Sequence, residues 1–568
     1  MNKAEWILRS DRLAEPVVDL YALAAPEESS HFGLTQADSR ISDVAEGWRD
    51  RVRTAARRAS EQLERAAVSE NDRRVVEDIG ILRRAVDDVV RGVDVYDAHL
   101  ISFIDVVRTA FGGVRVLLDE QNPPERKRLA LLRLRRYAGL EGEIAYPLAA
   151  ERETRERLAV PGLLAPYERQ LRTALGLTPV LLGGMEELFR ASGLSDWEEP
   201  FATFRSQAEA YTAFVERELL PRARTDHRLP PEVYRFNLHR VGVDIPPEEL
   251  ILRAHQAYDE IAAEMQALAP AVARVKGFAS HDYRDVVRDL KREQITGDAE
   301  TIVGFYRRRL AEIETIVRKE RLVTIPDRPA RIRVASLAES AELPAAHMNP
   351  PPLVGNTGQY GEFVLPLDVP PAPGTTGEPE RSDDFTHDAV TWTVIAHEAR
   401  PGHELQFDRM LEGGLSLARA VFAFNSVNVE GWALYAEAVM VPYMPPEGRL
   451  CSLLMRLHRA ARAFLDPELQ SGARTPAEAL AFLEREIVYS APFSRSEIER
   501  YTFRAPGQAT SYFYGYTKLI ALRAEVEAAL GERFAPLAFH DFIVDQGLVP
   551  PDALRAATLE RFTADGAA

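Results

Sequence analysis

Cysteine is nearly absent from this chain: Cys451 is the only one in 568 residues. No internal disulfide can form, so burial and hydrogen bonding must hold the fold. Such poverty fits a reducing compartment. The lone thiol stands in the apolar run Leu450 to Leu457, where a buried, inert side chain is expected. Lysine is scarce too. The 70 basic residues are nearly all arginine, and 87 acidic residues outnumber them. A net charge of −17 argues against a nucleic-acid partner, because counterion release needs a basic surface. Long apolar runs are also missing. Nothing approaches the roughly 20 apolar residues of a membrane span. The opening MNKAEWILRSDRLAEP carries acidic residues and lacks the apolar core of a secretory signal. The expectation is a cytoplasmic protein with neither nucleic acid nor membrane as partner.

What is present is chemistry for a metal. Ala396-His397-Glu398-Ala399-Arg400-Pro401-Gly402-His403 places a His-Glu pair shortly before a second histidine. Two imidazoles binding zinc, with a carboxylate beside the first as general base, is the logic of the H-E-x-x-H helix. Here the second histidine follows at six residues rather than four. An unbroken helix would carry His403 roughly 240° around and about 9 Å along, out of reach of a shared ion. Pro401 removes one backbone donor and disfavours helical geometry at Arg400. Gly402 tolerates almost any backbone angle. We therefore expect a two-residue bulge in the helix that swings His403 back. By itself the His-Glu pair reads equally as a surface pair at a proline-broken helix end.

A second element changes that balance. Asn428-Val429-Glu430-Gly431-Trp432-Ala433-Leu434-Tyr435-Ala436-Glu437 reads as a helix with Glu430 and Glu437 two turns apart on one face. Zinc favours a third protein ligand and an open position, and Glu430 would supply the former. Alone, Glu430 would pass for an acidic residue stabilised by a helix N-terminus.

These motifs carry a resemblance. Glu430-Gly431-Trp432-Ala433-Leu434-Tyr435 is similar to the glutamate helix of aminopeptidase N relatives, which implies Glu430 as the third zinc ligand. His397 to His403 resembles the H-E-x-G-H of carboxypeptidase Taq and thimet oligopeptidase with two residues inserted. The closest resemblance is to the bacterial domain-of-unknown-function 885 family, marked by H-E-A-x-P-G-H-x-x-Q. His397-Glu398-Ala399, Pro401-Gly402-His403 and Gln406 match it. So do Glu499-Arg500-Tyr501 and Pro506-Gly507-Gln508-Ala509-Thr510-Ser511-Tyr512. Asp19-Leu20-Tyr21 and Gly33-Leu34 through Asp43 match loosely. The resemblance implies a mainly α (α+β) fold: a large helical gluzincin-like metallopeptidase with a small β-sheet beside a deep central cleft. Two positions depart from it. Glu404 replaces a second consecutive histidine, and Gln470 falls where relatives carry another, a departure that changes chemistry or specificity if that histidine binds substrate or a transition-state oxygen.

Organisation along the chain agrees with a helical protein. Residues 40 to 220 show apolar spacing of three and four, broken at Gln121–Pro124, Val160–Gly162 and Asp196–Pro200. A second helical block starts at Pro246-Pro247-Glu248-Glu249. Arg331–Ala335 and Glu362–Leu367 read as strands. Proline- and glycine-rich chain from Leu343 to Pro379 surrounds the second of them. Gly355–Gly361, with Tyr360, reads as either a strand edge or lid over the cleft or a plain surface loop. Arg459, Arg462 and Asp466 have the spacing of an ion-pair ladder. Approximate divisions of one continuous fold are 1–235, 236–330, 331–446 and 447–568.

The expected activity is zinc-dependent hydrolysis of an amide or peptide bond in a short peptide or peptide-like substrate. His397, His403 and Glu430 hold the metal, and other divalent ions suit such a set. Glu398 moves the proton. By similarity to thimet-type peptidases, Tyr512 is the expected oxyanion donor, with Tyr516 second. Glu437 would orient a ligand histidine, and His387 either does the same or caps a helix in solvent. Arg504, Gln508 and Gln470 are further candidates for substrate or supporting contacts. The departures at Glu404 and Gln470 keep a second reading open, a biosynthetic tailoring enzyme acting on a non-peptide small molecule. A metal-free binding protein is the third.

Overall fold

A computed structural model describes residues 3–369, 379–381 and 383–563. The part of the proline-rich stretch at 370–378 lies outside the described residues. The protein is mainly helical, and among the described residues no helix is long and apolar enough to cross a membrane.

Three apolar cores hold it. Two belong largely to the N-terminal 220 residues. One gathers Ala14 to Val86 and reaches Phe407, Met410 and Phe422 of the C-terminal half. The other runs from Val106 to Leu219. The third and largest takes residues from Tyr234 to Leu554, so the segments 236–330, 331–446 and 447–568 share one core. Cys451 is buried within it. The long helices Pro247–Lys276 and Pro446–Ser471 pack together at its centre.

The two expected strands are present, with a third beside them. β1 (Arg331–Val334), β2 (His347–Asn349) and β3 (Glu362–Leu365) form a sheet of order β1-β3-β2. β1 runs parallel to β3, pairing Arg331 with Glu362, and β2 runs antiparallel to it, pairing Met348 with Phe363. All four residues of β3 are buried, as expected of a central strand rich in β-branched and aromatic side chains. The helix Ala299–Lys319 packs on both β1 and the helix that carries His397, which couples the sheet to the site.

Gly355–Gly361 is not a strand. Tyr360 is clamped by Arg331 and Arg328, whose guanidinium carbons lie 4.2 and 4.9 Å from its ring centre. The Gln121 side chain accepts from its N–H at 2.8 Å and donates to its carbonyl at 3.2 Å. These contacts fix the loop to the body of the protein.

Candidate metal centre

Four helices build the site. The upstream histidine helix, Asp388–Glu398, is buried from Ala389 through His397. It is apolar nearly all round, as a helix enclosed in a core must be. In place of the expected bulge the chain makes a full break. The helix ends at Glu398, since Ala399 adopts φ −105°, ψ −103°, and a separate helix begins at His403 and runs to Gly413. Pro401 accounts for the break, because it disfavours helical geometry at Arg400. Gly402 shows the expected backbone freedom, with φ −78° and ψ −131° that are neither helical nor extended, and it has a second role. What it lacks is room: a Cβ there would lie 1.9 Å from the His397 carbonyl oxygen and 2.5 Å from that of Ala396. The start of the second helix is thus folded onto the end of the first.

Trp432 locks this turn. Its indole Nε1 donates to the carbonyls of Pro401 at 3.1 Å and Gly402 at 3.2 Å. Trp432 lies on the glutamate helix, Ser426–Met440, whose N-cap Asn425 accepts from the Asn428 N–H at 2.9 Å. That helix crosses the tyrosine helix, Ser511–Leu530, at two glycines. A Cβ on Gly515 would meet the Val427 carbonyl oxygen at 2.0 Å, and one on Gly431 would meet Gly515 backbone at 2.7 Å. Only glycine permits so close a crossing, and the crossing brings Glu430 and Tyr512 to one place.

The result is a compact donor set. Glu430 Oε2 lies 3.6 Å from His397 Nε2 and 3.3 Å from His403 Nε2. Tetrahedral bonds of roughly 2.0–2.2 Å separate ligand atoms by roughly 3.3–3.6 Å, so these spacings fit one ion. The imidazole rings stand edge to face at 4.8 Å. Proximity alone also groups His397, Glu398 and His403, whose donor atoms lie within 4.8 Å of one another. Glu430 is nevertheless the better third ligand. The Glu398 carboxylate is 3.9 Å from His397 Nε2, further than Glu430, and the buried Glu430 Oε2 has no hydrogen-bond partner. An orphaned carboxylate oxygen between two imidazoles suits a cation.

The surroundings fix the state of these groups. Glu437 Oε1 accepts from His397 Nδ1 at 2.7 Å, and Glu437 Oε2 accepts from Thr393 at 2.5 Å. With Nδ1 donating to Glu437, His397 turns Nε2 toward the cluster. Burial would depress His397, but Glu398, Glu430 and Glu437 outweigh it and push it up to about 9. Burial raises Glu398, against the pull of the two histidines. Burial would raise Glu430 as well, yet the histidines hold it well below the carboxylate range. Replacing Glu437 with glutamine should lower zinc affinity by about 10- to 100-fold, read by competition with a chelator of known affinity.

The remaining candidates divide. Tyr512 reaches the cluster, its ring stacked on that of His397 with centres 6.2 Å apart. Burial raises its hydroxyl, against the pull of Arg500 and Arg462, so it stays a neutral donor. It accepts from Arg500 at 2.9 Å, and Arg500 Nε in turn donates to Gln508 at 2.9 Å. Gln508 therefore supports Tyr512 through Arg500. Tyr516 lies one turn further, against Arg456. Tyr514 packs into the core and bonds Asp244. Arg504 pairs with Glu499 at 2.7 Å and borders the large cavity. His387 is not beside the cluster: it opens the upstream helix, about 15 Å from His397 along the axis. Nor is it solvent-facing, being buried and pushed down to about 3 by that burial and by Lys291 and Lys276. Gln470 is structural. It accepts from the Leu229 N–H at 2.9 Å and donates to the Tyr501 carbonyl at 2.8 Å. Glu404 turns away from the cluster and takes Arg400 at 2.6 and 3.0 Å.

The ion-pair ladder is absent. Arg462 pairs with Glu497 at 2.6 and 2.8 Å, and Asp466 accepts from Tyr234 and from the Gly507 N–H. Instead Arg459, Arg462 and Arg500 surround the ring of Tyr512 at 5.7, 4.6 and 5.2 Å. Spacing on one helix could not show this, because Arg500 comes from a distant segment. A cavity of about 1770 Å³ adjoins the site. It is lined by Tyr96, Phe236, Phe424, Arg504 and Gln508, and it meets the cluster at Glu430.

No functionally curated protein matches the chain. Solved structures that share its fold include the following two. A protein of Colwellia psychrerythraea described as a lipoprotein superposes with a TM-score of 0.77 at 17% identity, over 96% of this chain and 98% of its own. A Shewanella oneidensis protein, described as a lipoprotein of unknown function, gives 0.72 at 19% identity, over 98% and 100%. The sequence profile of a bacterial family of unknown function, DUF885, matches residues 26–557, so the chain belongs to that family.

Proposed function

We propose that the protein is a metal-dependent hydrolase, with zinc as the ion, that cleaves an amide or peptide bond in a short peptide or peptide-like substrate. The observation that carries this reading is the orphaned Glu430 oxygen within 3.6 Å of both histidine Nε2 atoms. His397, His403 and Glu430 would hold the ion. When bound, zinc supplies a Lewis acid for the substrate carbonyl and an acidified water. Glu398 stands beside that position, free of ligand duty, and its raised affinity for protons suits it to accept one from water and return it to the departing amine. Tyr512 donates toward the carbonyl oxygen as charge develops there. The tailoring reading drew on Glu404 and Gln470. Both side chains are taken up by contacts within the protein, so neither argues for a non-peptide substrate. The separation of His397 and His403, which favoured a metal-free binding protein, is answered by the broken helix.

The test is reconstitution. Protein stripped by a chelator should take up close to one zinc per chain, and cleavage within a panel of tripeptides should return with it. Equal cleavage by stripped and loaded protein would overturn the reading.

A further inference from the structure

Four arginines gather on the tyrosine side of the cluster in a protein of net charge −17. Two have their charge or their donors occupied. Arg462 is neutralised by Glu497. Arg500 holds Gln508 and Tyr512, with Glu497 at 3.6 Å.

Arg459 and Arg456 differ. The Arg459 residue is 8% exposed, yet it has no carboxylate of its own. Its Nη1 rests on the Met455 sulfur at 2.8 Å and the Met455 carbonyl at 3.4 Å. A thioether is a poor acceptor for a guanidinium. Its Nη2 is 3.7 Å from Glu437 Oε1, an oxygen already bonded to His397. Its Nε has no partner. A buried, charged donor left this way is costly unless a ligand completes it. Arg456, one turn earlier, makes no ion pair among the described residues, and its Nε is also unpartnered. Arg459 faces Tyr512 and Arg456 faces Tyr516, at 5.7 and 5.3 Å. The two pairs stand in register across the arginine and tyrosine helices.

The position of this pair matters as much as its charge. Arg459 is one contact from Glu437, and Glu437 is one contact from His397. An anion on Arg459 would therefore lie beside the bond presented to the metal cluster. The cavity meets the cluster at Glu430 and is also lined by Gln508, which accepts from Arg500, so cavity, cluster and arginines adjoin.

We infer that Arg459, supported by Arg456, binds the free carboxylate of a substrate cleaved close to its carboxy terminus. The guanidinium fork suits a planar carboxylate, and the Tyr512 ring touches both Arg459 and His397. This inference rests on the hydrolase reading and gives it a substrate class.

The test uses zinc-loaded full-length protein and paired tripeptides, each as free acid and as carboxy-terminal amide. Cleavage should favour the acid by about 10- to 100-fold, the size of one charge-assisted pair. Arg459→Met should abolish the preference and Arg459→Lys should restore part of it, with zinc content unchanged. Arg456→Met, at a less buried position, should weaken it. The second readout is calorimetric binding of the same pairs to zinc-loaded Glu398→Gln protein, which needs no turnover. Acids should bind about 10- to 100-fold more tightly than amides. Equal cleavage of acid and amide would overturn the subsite and leave the hydrolase reading standing. Tight binding of the acid with no cleavage by the wild type would keep the subsite and remove the hydrolase reading. Equal binding, or binding of neither form, would overturn the subsite.

Discussion

Changing Glu398 to glutamine should leave zinc bound and lower hydrolysis by about 10²- to 10⁴-fold, the usual contribution of a positioned acid–base group. Glutamine keeps the shape and removes the proton carrier. The donor geometry explains why the metal should stay. Glu430 Oε2 sits 3.6 and 3.3 Å from the two Nε2 atoms, while Glu398 stands 3.9 Å from His397 Nε2. Adjacent residues on a helix also point about 100° apart, so His397 and Glu398 aim at different places. Zinc content and turnover, measured on the same sample, separate the two roles. Loss of zinc in this variant would make Glu398 a ligand and demand a different base.

Gly402→Ala should cost stability at the upper end of the about 1–3 kcal/mol typical of overpacking and should also strip the metal. An alanine Cβ would lie 1.9 Å from the His397 carbonyl oxygen and 2.5 Å from that of Ala396. Neither is a side chain that can swing away; both are backbone at the end of a buried helix. Relief requires the second helix to retreat, and His403 is its first residue. Thermal melting reads the first effect and zinc titration the second. A variant that melts like the wild type and binds zinc equally would show that the turn is looser than this packing requires.

Much of the site was legible because its chemistry sits in short motifs. His397, His403, Glu430 and Glu437 were marked by residue type and motif, and the geometry brings them together. The strands at 331 and 362 were legible from β-branched and aromatic runs. β2 was hidden by the proline-rich chain around it. What failed depended on contacts distant in sequence. The break after Glu398 was expected as a bulge, because the sequence does not show that Trp432 will grip the carbonyls of Pro401 and Gly402. The backbone freedom of Gly402 was legible, but the carbonyl packed against it was not. Gln470 stood at a position marked by its relatives, yet its amide bridges Leu229 and Tyr501, 241 and 31 residues away. The arginines at three-residue spacing looked like members of one ladder with Asp466. Their partners proved to be Glu497 and an aromatic ring from another helix.

The central claim is one ion held by His397, His403 and Glu430. Crystals grown with zinc, with diffraction recorded on both sides of the zinc absorption edge, test it directly. The expected result is one strong anomalous peak at roughly 2.0–2.2 Å from His397 Nε2, His403 Nε2 and a Glu430 carboxylate oxygen, with Glu398 beside it and unligated. A peak ligated by Glu398 in place of Glu430, or no peak between the two histidines at full zinc loading, would contradict it.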